Sequence, residues 1–183
     1  MEYFDVCDAQ GRPTGRVVAR DAAHREGIRH RTAHIWVARK VHGRWHLLLQ
    51  KRSMNKDSFP GKYDTSSAGH IRAGDEPLPS ALRELEEELG IRASADQLHC
   101  AGTFNVRFEK VFHGQLFRDD ELAHVYAYTE PVDPSALRLQ AEEVERVDWF
   151  DLEILWMVLR DRREFFCVPA EGLAVIRNYL NRL

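Results

Sequence analysis

No stretch of this chain approaches the roughly 18 to 20 consecutive apolar residues that a membrane-spanning helix requires, so no membrane partner is expected. Cysteine is scarce: Cys7, Cys100 and Cys167 are widely spaced and odd in number. That usage fits reduced thiols in a cytosolic protein better than a disulfide framework. Internal repeats, low-complexity tracts and linkers are all missing. A large charge excess is missing too. With a formal net charge of −3, nothing draws the whole molecule toward a nucleic-acid polymer or an anionic membrane. Any phosphate binding must come from a local cluster of cations or from metal. The opening Met1-Glu-Tyr-Phe-Asp-Val is acidic and lacks the order of a secretion signal, so the expected location is cytoplasmic.

What is there has the balance of a globular protein. Hydrophobic residues at 44% and charged residues at 30%, over 183 residues, predict a single domain spanning residues 1–183 with a sizeable core. Tyr3 to Cys7 reads as a short strand ended by the turn-rich Asp8 to Gly15. Thr32 to Arg39 and Trp45 to Arg52 are apolar runs joined by Val41-His-Gly-Arg44, the pattern of a hairpin. Ser53 to Tyr63 contains Pro60-Gly61 and reads as a loop, and Asp64 to Ala68 as another short strand. Leu98 to Phe108, Leu122 to Thr129 and Val144 to Phe150 read as strands, then Leu152 to Leu159 and Ala170 to Leu183 as helices. In the last of these, Leu173, Ile176, Tyr179 and Leu180 share one face. The order β–β–β–α–β–β–β–α–α predicts an α/β fold in which a mixed β-sheet is sandwiched by helices.

The central helix carries the chemistry. Pro77 and Pro79 fit a first turn, where a missing N–H costs nothing. Leu78, Ala81, Leu82, Leu85 and Leu89 form an apolar stripe, and Gly90 is a natural stop. On the opposite face Glu84, Glu87 and Glu88 stand at i, i+3 and i+4. Like charges at that spacing destabilise a helix, and in its second half the macrodipole disfavours them further. A bound cation among them resolves both conflicts, and all-oxygen ligands select a hard ion such as Mg²⁺ or Mn²⁺. An isolated acidic run would instead read as a solvated face.

The run from Gly69 to Ile91 resembles the Nudix box: a glycine, five residues, an acid, seven residues, then Arg-Glu-hydrophobic-x-Glu-Glu-x-Gly-hydrophobic. The fixed positions are filled by Gly69, Asp75, Arg83, Glu84, Leu85, Glu87, Glu88, Gly90 and Ile91. Only Asp75 departs, standing where the family usually has Glu. The resemblance implies an α/β/α Nudix sandwich and divalent-metal-dependent cleavage of the pyrophosphate linkage in nucleoside di- or triphosphates or related small diphosphates. It nominates Glu84, Glu87 and Glu88 as metal ligands, with the Gly69 carbonyl as a further one. Arg83 would orient the glutamates or meet a substrate phosphate, and Glu87 or Glu121 would assist deprotonation of water.

A second resemblance covers nearly the whole chain. Phe4 to Gly15, Ala22-Ala-His24, Arg29-His30, His34-Ile-Trp36, Leu47 to Arg52, Lys56, Phe59-Pro-Gly61 and Ala68-Gly-His70 are similar to isopentenyl-diphosphate isomerase and its relatives. It implies a metal site at His24, His30, His70, Asp119 and Glu121, with Asp119 standing for an expected Glu. It also implies diphosphate contacts at Arg52, Lys56 and Arg83. The isomerases carry their essential cysteine just before the Gly-His pair, whereas this chain has Ala68, whose methyl can neither donate nor accept a proton. The acidic box, often degraded in the isomerases, is nearly intact, and both features favour hydrolysis. The competing expectations are an isoprenoid-diphosphate isomerase or binder, and a catalytically silent nucleotide sensor whose only support is Asp75. Phe104, Phe108, Trp36 and Phe59 are the aromatics expected to line the pocket, and Glu142-Glu-Val-Glu145 is expected to be solvated. Should the chain self-assemble, a homodimer is the common form.

Overall fold

The computed structural model describes every residue from Met1 to Leu183. Its organising element is β3 (His30–Val41), buried without a break from His30 to Ala38. A strand buried on both faces needs partners on both edges and cover on both sides. β3 pairs antiparallel with β4 (Arg44–Arg52) and β6 (Ser67–His70), and parallel with β8 (Gln115–Tyr128). β5 (Tyr63–Asp64) and β9 (Val144–Asp151) add to β4, and β7 (Leu98–Phe112) pairs antiparallel with β8. The result is a seven-stranded mixed sheet.

Alternation along the strands divides the core in two. Ala33, Ile35 and Val37 face α2 (Pro77–Leu89), meeting Ala81, Leu85 and Leu89. Trp36, Ala38, Val125 and Ala127 face the other way, against Leu152 and Leu155 of α3 (Leu152–Val158) and Leu173, Ile176 and Leu180 of α4 (Ala170–Leu180). This is the α/β/α sandwich expected from the sequence. Helix α2 starts on its two prolines and ends at Gly90, whose φ of 71° is the left-handed cap that glycine adopts without strain. No helix is long and apolar enough to cross a membrane.

Four elements differ from the sequence expectation. The single strand expected over Asp64 to Ala68 is two short ones, β5 on β4 and β6 on β3. The chain beyond Gly11 does not stay a turn: β2 (Pro13–Ala19) pairs with β1 (Tyr3–Cys7) in a separate hairpin. A short helix follows, α1 (Arg20–Glu26), which stops at Gly27 in the left-handed region. The expected strands ending at Phe108 and beginning at Leu122 are halves of one long hairpin turning at His113-Gly114, both at positive φ. Asp119 and Glu121 therefore sit within a strand, not in a loop before it.

The β1–β2 hairpin is tied to the sheet through Phe4, fully buried and stacked on His30 and His70 with ring centroids 4.8 and 4.5 Å away. Arg31 completes the attachment by donating to Asp5 and to the Asp75 carbonyl. Replacing Phe4→Ala is predicted to cost about 3–5 kcal/mol of stability, read from urea unfolding, because it empties a fully enclosed site. A loss below ~1 kcal/mol would show that the hairpin is not part of the cooperative unit.

Candidate active site

A cavity of ≈ 580 Å³ opens where the carboxyl-bearing side of α2, the end of β6 and the β7–β8 hairpin converge. The sequence-nominated residues His24, Arg52, Lys56, Gly69, His70, Glu84, Glu87, Glu88, Asp119 and Glu121 all line it. His30 lies just beneath, fully buried. Arg83, nominated for a substrate phosphate, does not line the cavity either.

Register explains the deepest part of the site. β3 and β8 run parallel with His30 opposite Glu121, and β3 pairs with β6 so that Thr32 faces His70. Side chains alternate across a sheet, so His30, Glu121 and His70 emerge on one face, and α1 brings His24 down onto them. One ligand atom from each of these four residues lies within 4.8 Å of the others. Glu121 Oε1 is 3.5 Å from His30 Nε2 and 3.6 Å from His70 Nε2, and the Nε2 atoms of His24 and His70 are 3.3 Å apart. The Nδ1 of His30 sits 2.8 Å from the Ile28 carbonyl, which leaves Nε2 as the lone-pair nitrogen. Thr32 Oγ1 donates to Glu121 Oε2 at 3.0 Å.

The charge states follow from burial. Burial lowers His24 to about 4, aided by His30, and it lowers His70 well below its usual range although Glu121 opposes the shift. Burial opposes ionisation of Glu121 as well, but the imidazoles packed around it, His30 foremost, hold it below the ordinary carboxylate range. Its neighbour Asp119 is pushed up to about 9 by burial and by the Glu121 charge. Two imidazoles held neutral and one ionised carboxylate are the protonation states a cation needs. His30 Nε2 and Asp119 Oδ1 are buried without hydrogen-bond partners, so the set fits a divalent ion on its own chemistry.

The α2 carboxylates do not stand as one trio opposite the apolar stripe, as the spacing predicts. Glu84 packs on the Gly69 backbone so closely that a Cβ there would fall 2.1 Å from its carboxyl carbon. Arg83 binds Glu84 at 3.0 Å, Asp75 at 2.8 Å and the His70 carbonyl at 3.2 Å. Of the two roles open to Arg83, this geometry corresponds to orienting Glu84. Asp75 thus reaches the arginine despite its shorter side chain. Glu88 is not opposite the apolar stripe but buried beside it, accepting from Gln50 Nε2 at 3.0 Å and Ala68 N–H at 3.2 Å. Glu87 is exposed at the cavity and makes no hydrogen bond.

The cations and the rim hold further departures. Arg52 spends its donors on Ser58 and on Asp64, bracing the loop from Ser53 to Lys62. Lys56 pairs with Glu143, so this part of the acidic run lines the cavity and is not merely solvated. Arg20, at the β2–α1 connection, and Arg72, just beyond β6, also line it, each paired with Glu2, a pairing no sequence period reveals. Among the expected aromatics Phe59 and Phe108 line the cavity, joined by Phe117. Trp36 and Phe104 belong to the core.

Glu88 yields a pH prediction for metal-free protein. Burial raises its pKa from 4.5 to about 7. A carboxyl raised in the folded state contributes its full stability below the unfolded value, and loses it as pH climbs from about 4.5 through 7. Glu88→Gln has no proton to lose. Relative to that variant, the unmodified protein should become less stable between pH 5 and pH 8 by about 3 kcal/mol at most. Urea midpoints in the presence of chelator measure this, and a pH-independent difference would refute it.

A family model described as the NUDIX domain matches residues 28–167. Nudix hydrolase 3 of Arabidopsis thaliana is 41% identical over 162 residues, which cover 83% of this chain and 19% of that much longer protein. An uncharacterized Nudix hydrolase of Clostridium acetobutylicum is 36% identical over 176 residues, covering 93% of this chain and 82% of its own length. Among solved structures, DR0079 from Deinococcus radiodurans aligns with a TM-score of 0.69 at 17% identity, over 96% of this chain and 98% of that one. The NUDIX domain of Shewanella oneidensis NrtR, solved with ADP ribose, aligns with a TM-score of 0.57 at 16% identity, over 83% and 86% of the two chains. At such identities the structural likeness establishes the fold, while the family model and the two relatives establish kinship. The chain belongs to the Nudix family of pyrophosphohydrolases.

Proposed function

We propose that residues 1–183 act as one cytoplasmic Nudix domain that hydrolyses a small diphosphate, with nucleoside di- or triphosphates as the substrate class. The observation that carries this reading is a single cavity lined by Glu84, Glu87 and Glu88 from α2 together with His24, His70 and Glu121, above the buried His30. Mg²⁺ or Mn²⁺ held by these groups, and by the Gly69 carbonyl, would neutralise phosphoryl oxygens and lower the pKa of water. The imidazole-rich set suits Mn²⁺ better than Mg²⁺.

The chain's own residues do the rest. Glu87, exposed to the cavity and without a partner, takes the proton from the attacking water as its oxygen bonds to phosphorus and the anhydride P–O bond breaks. Glu121 is the second candidate base, but its oxygens are already committed to the imidazoles and Thr32. Arg83 holds Glu84 in place. Lys56, paired with Glu143, exchanges that carboxylate for a substrate phosphate. A concave pocket of this size suits a small molecule and not a nucleic-acid polymer. Should the chain self-assemble, a homodimer is the form to expect.

The close His24–His30–His70–Glu121 geometry also supports a second reading, an isoprenoid-diphosphate isomerase or binder. Ala68 counts against isomerisation, since a methyl cannot move protons. Incubation with Mg²⁺ or Mn²⁺ and a panel of nucleotides and isopentenyl diphosphate, followed by phosphorus NMR, should release phosphate or pyrophosphate. Glu87→Gln should lower turnover about 10²- to 10⁴-fold with unchanged circular dichroism. Unchanged turnover in that variant would remove Glu87 from the mechanism. Double-bond migration without phosphate release, whether in the unmodified protein or after Ala68→Cys alone, would favour the isomerase site.

A further inference from the structure

The cavity floor holds one histidine that belongs to neither the metal-fitting set nor the box. His34 lies on β3 in the row beyond Thr32, on the same face, and pairs across the sheet with Ala68 on one side and Val125 on the other. It lines the cavity with Ala68, Asp64, Cys167 and Pro169, yet is only 7% exposed. Its ring is fixed edge-on against Phe104, at 5.2 Å and 83°. Phe104 is itself packed on Gly172 of α4, where a Cβ would come within 2.9 Å. The imidazole is therefore held in one place by a close-packed wall.

A polar ring in that position is normally satisfied by the protein. Neither ring nitrogen of His34 has a hydrogen-bond partner; Nδ1 is closed off within the protein, which leaves Nε2 to a ligand in the cavity, and burial keeps the imidazole neutral, so its tautomer lets Nε2 donate or accept. The other non-polar walls, Val106, Phe108, Phe117 and Phe59, offer no hydrogen bond. A hydrocarbon lying on the floor would seal the imidazole away from water unpaired, whereas a hydroxyl or a heteroaromatic edge would complete it. The methyl of Ala68 keeps the space beside the ring open.

We infer that His34 is a specificity-determining residue that hydrogen-bonds the non-phosphate part of the substrate, selecting a diphosphate whose second group is a nucleoside over one whose second group is an alkyl chain. The inference rests on the diphosphate-hydrolase reading of the same cavity, and binding separates the two. Calorimetry with Mg²⁺ would compare methylene-bridged nucleoside diphosphate, an alkyl methylenediphosphonate and methylenediphosphonate itself. The unmodified protein should bind the nucleoside analogue most tightly. His34→Ala should weaken that ligand about tenfold, as expected for one lost hydrogen bond, and leave the other two unchanged. His34→Asn, which keeps a donor and an acceptor, should recover part of the loss and guards against a folding artefact. Equal weakening of all three ligands, no weakening of any, or tightest binding of the alkyl analogue would overturn the role of His34, as would failure of the unmodified protein to bind the nucleoside analogue. Absence of turnover on natural nucleotides, with the binding pattern intact, would instead sink the hydrolase reading alone.

Discussion

The parallel pairing of β3 with β8 is the constraint on which the site depends. It sets His30 opposite Glu121 and Thr32 opposite Ala123, so the buried carboxylate meets its imidazoles on one face of the sheet. A slip of one residue would turn Glu121 toward α2 and leave three histidines without their anion. Parallel partners cannot be joined by a tight turn. Here β4 to β7 and α2 all lie between them in the chain, so the cluster exists only once the sheet is assembled. Phe4 then seals it from the N-terminal side by stacking on two of the three imidazoles. Fold and site are in this sense one event: the contacts that close the core also set the ligand geometry.

Burial drives the titrating groups of this cavity apart. Asp119 is held protonated and Glu121 ionised a short distance along one strand, while His24 and His70 are kept neutral. Such divergence marks places where charge is withheld for a ligand to complete. On the other wall, Glu88 resists ionisation despite two hydrogen-bond donors, and Glu84 is raised by burial although Arg83 opposes it. Glu87 alone stays exposed and unpaired. The three box carboxylates, equivalent in the sequence, are thereby sorted into an anchored one, a buried one and a free one.

What the sequence made legible was whatever repeats with a period or sits in a motif. The apolar stripe of α2, the strand pattern of β3 and β4 and the stop at Gly90 could all be read directly, and the sandwich followed. The β3–β4 turn is legible in His42-Gly43, whereas the same dipeptide at His113-Gly114, which makes the β7–β8 turn, is flanked by no legible alternation. The flanking Glu109-Lys110 and Arg118-Asp-Asp120 hid the alternation, because the hairpin projects with much of its surface exposed. Helix α1 has too few turns to show an apolar period, so His24 could be placed only by resemblance. His34 was hidden for the opposite reason. On a strand buried on both faces a histidine gives no contrast, and only the cavity beside it separates a lining residue from a core one.

The cations follow the same logic. Arg52 and Arg83, both nominated for phosphate, have their donors committed to Asp64 and Ser58 and to Asp75 and Glu84, respectively. A guanidinium fork held by a carboxylate and a second acceptor loses several charge-assisted bonds if it turns to a ligand. Lys56 has one carboxylate partner on the cavity wall, and an ammonium exchanges one anion for another with little reorganisation. In a net-acidic molecule the cavity's positive charge is already balanced, so under the proposed function a phosphate would bind by displacing Glu143 from Lys56. The arginines keep the carboxylates and the loop in position, and the lysine does the exchanging. That division of labour follows from partners brought together by the fold, Asp64, Asp75 and Glu143, and not from the identity of the cations themselves.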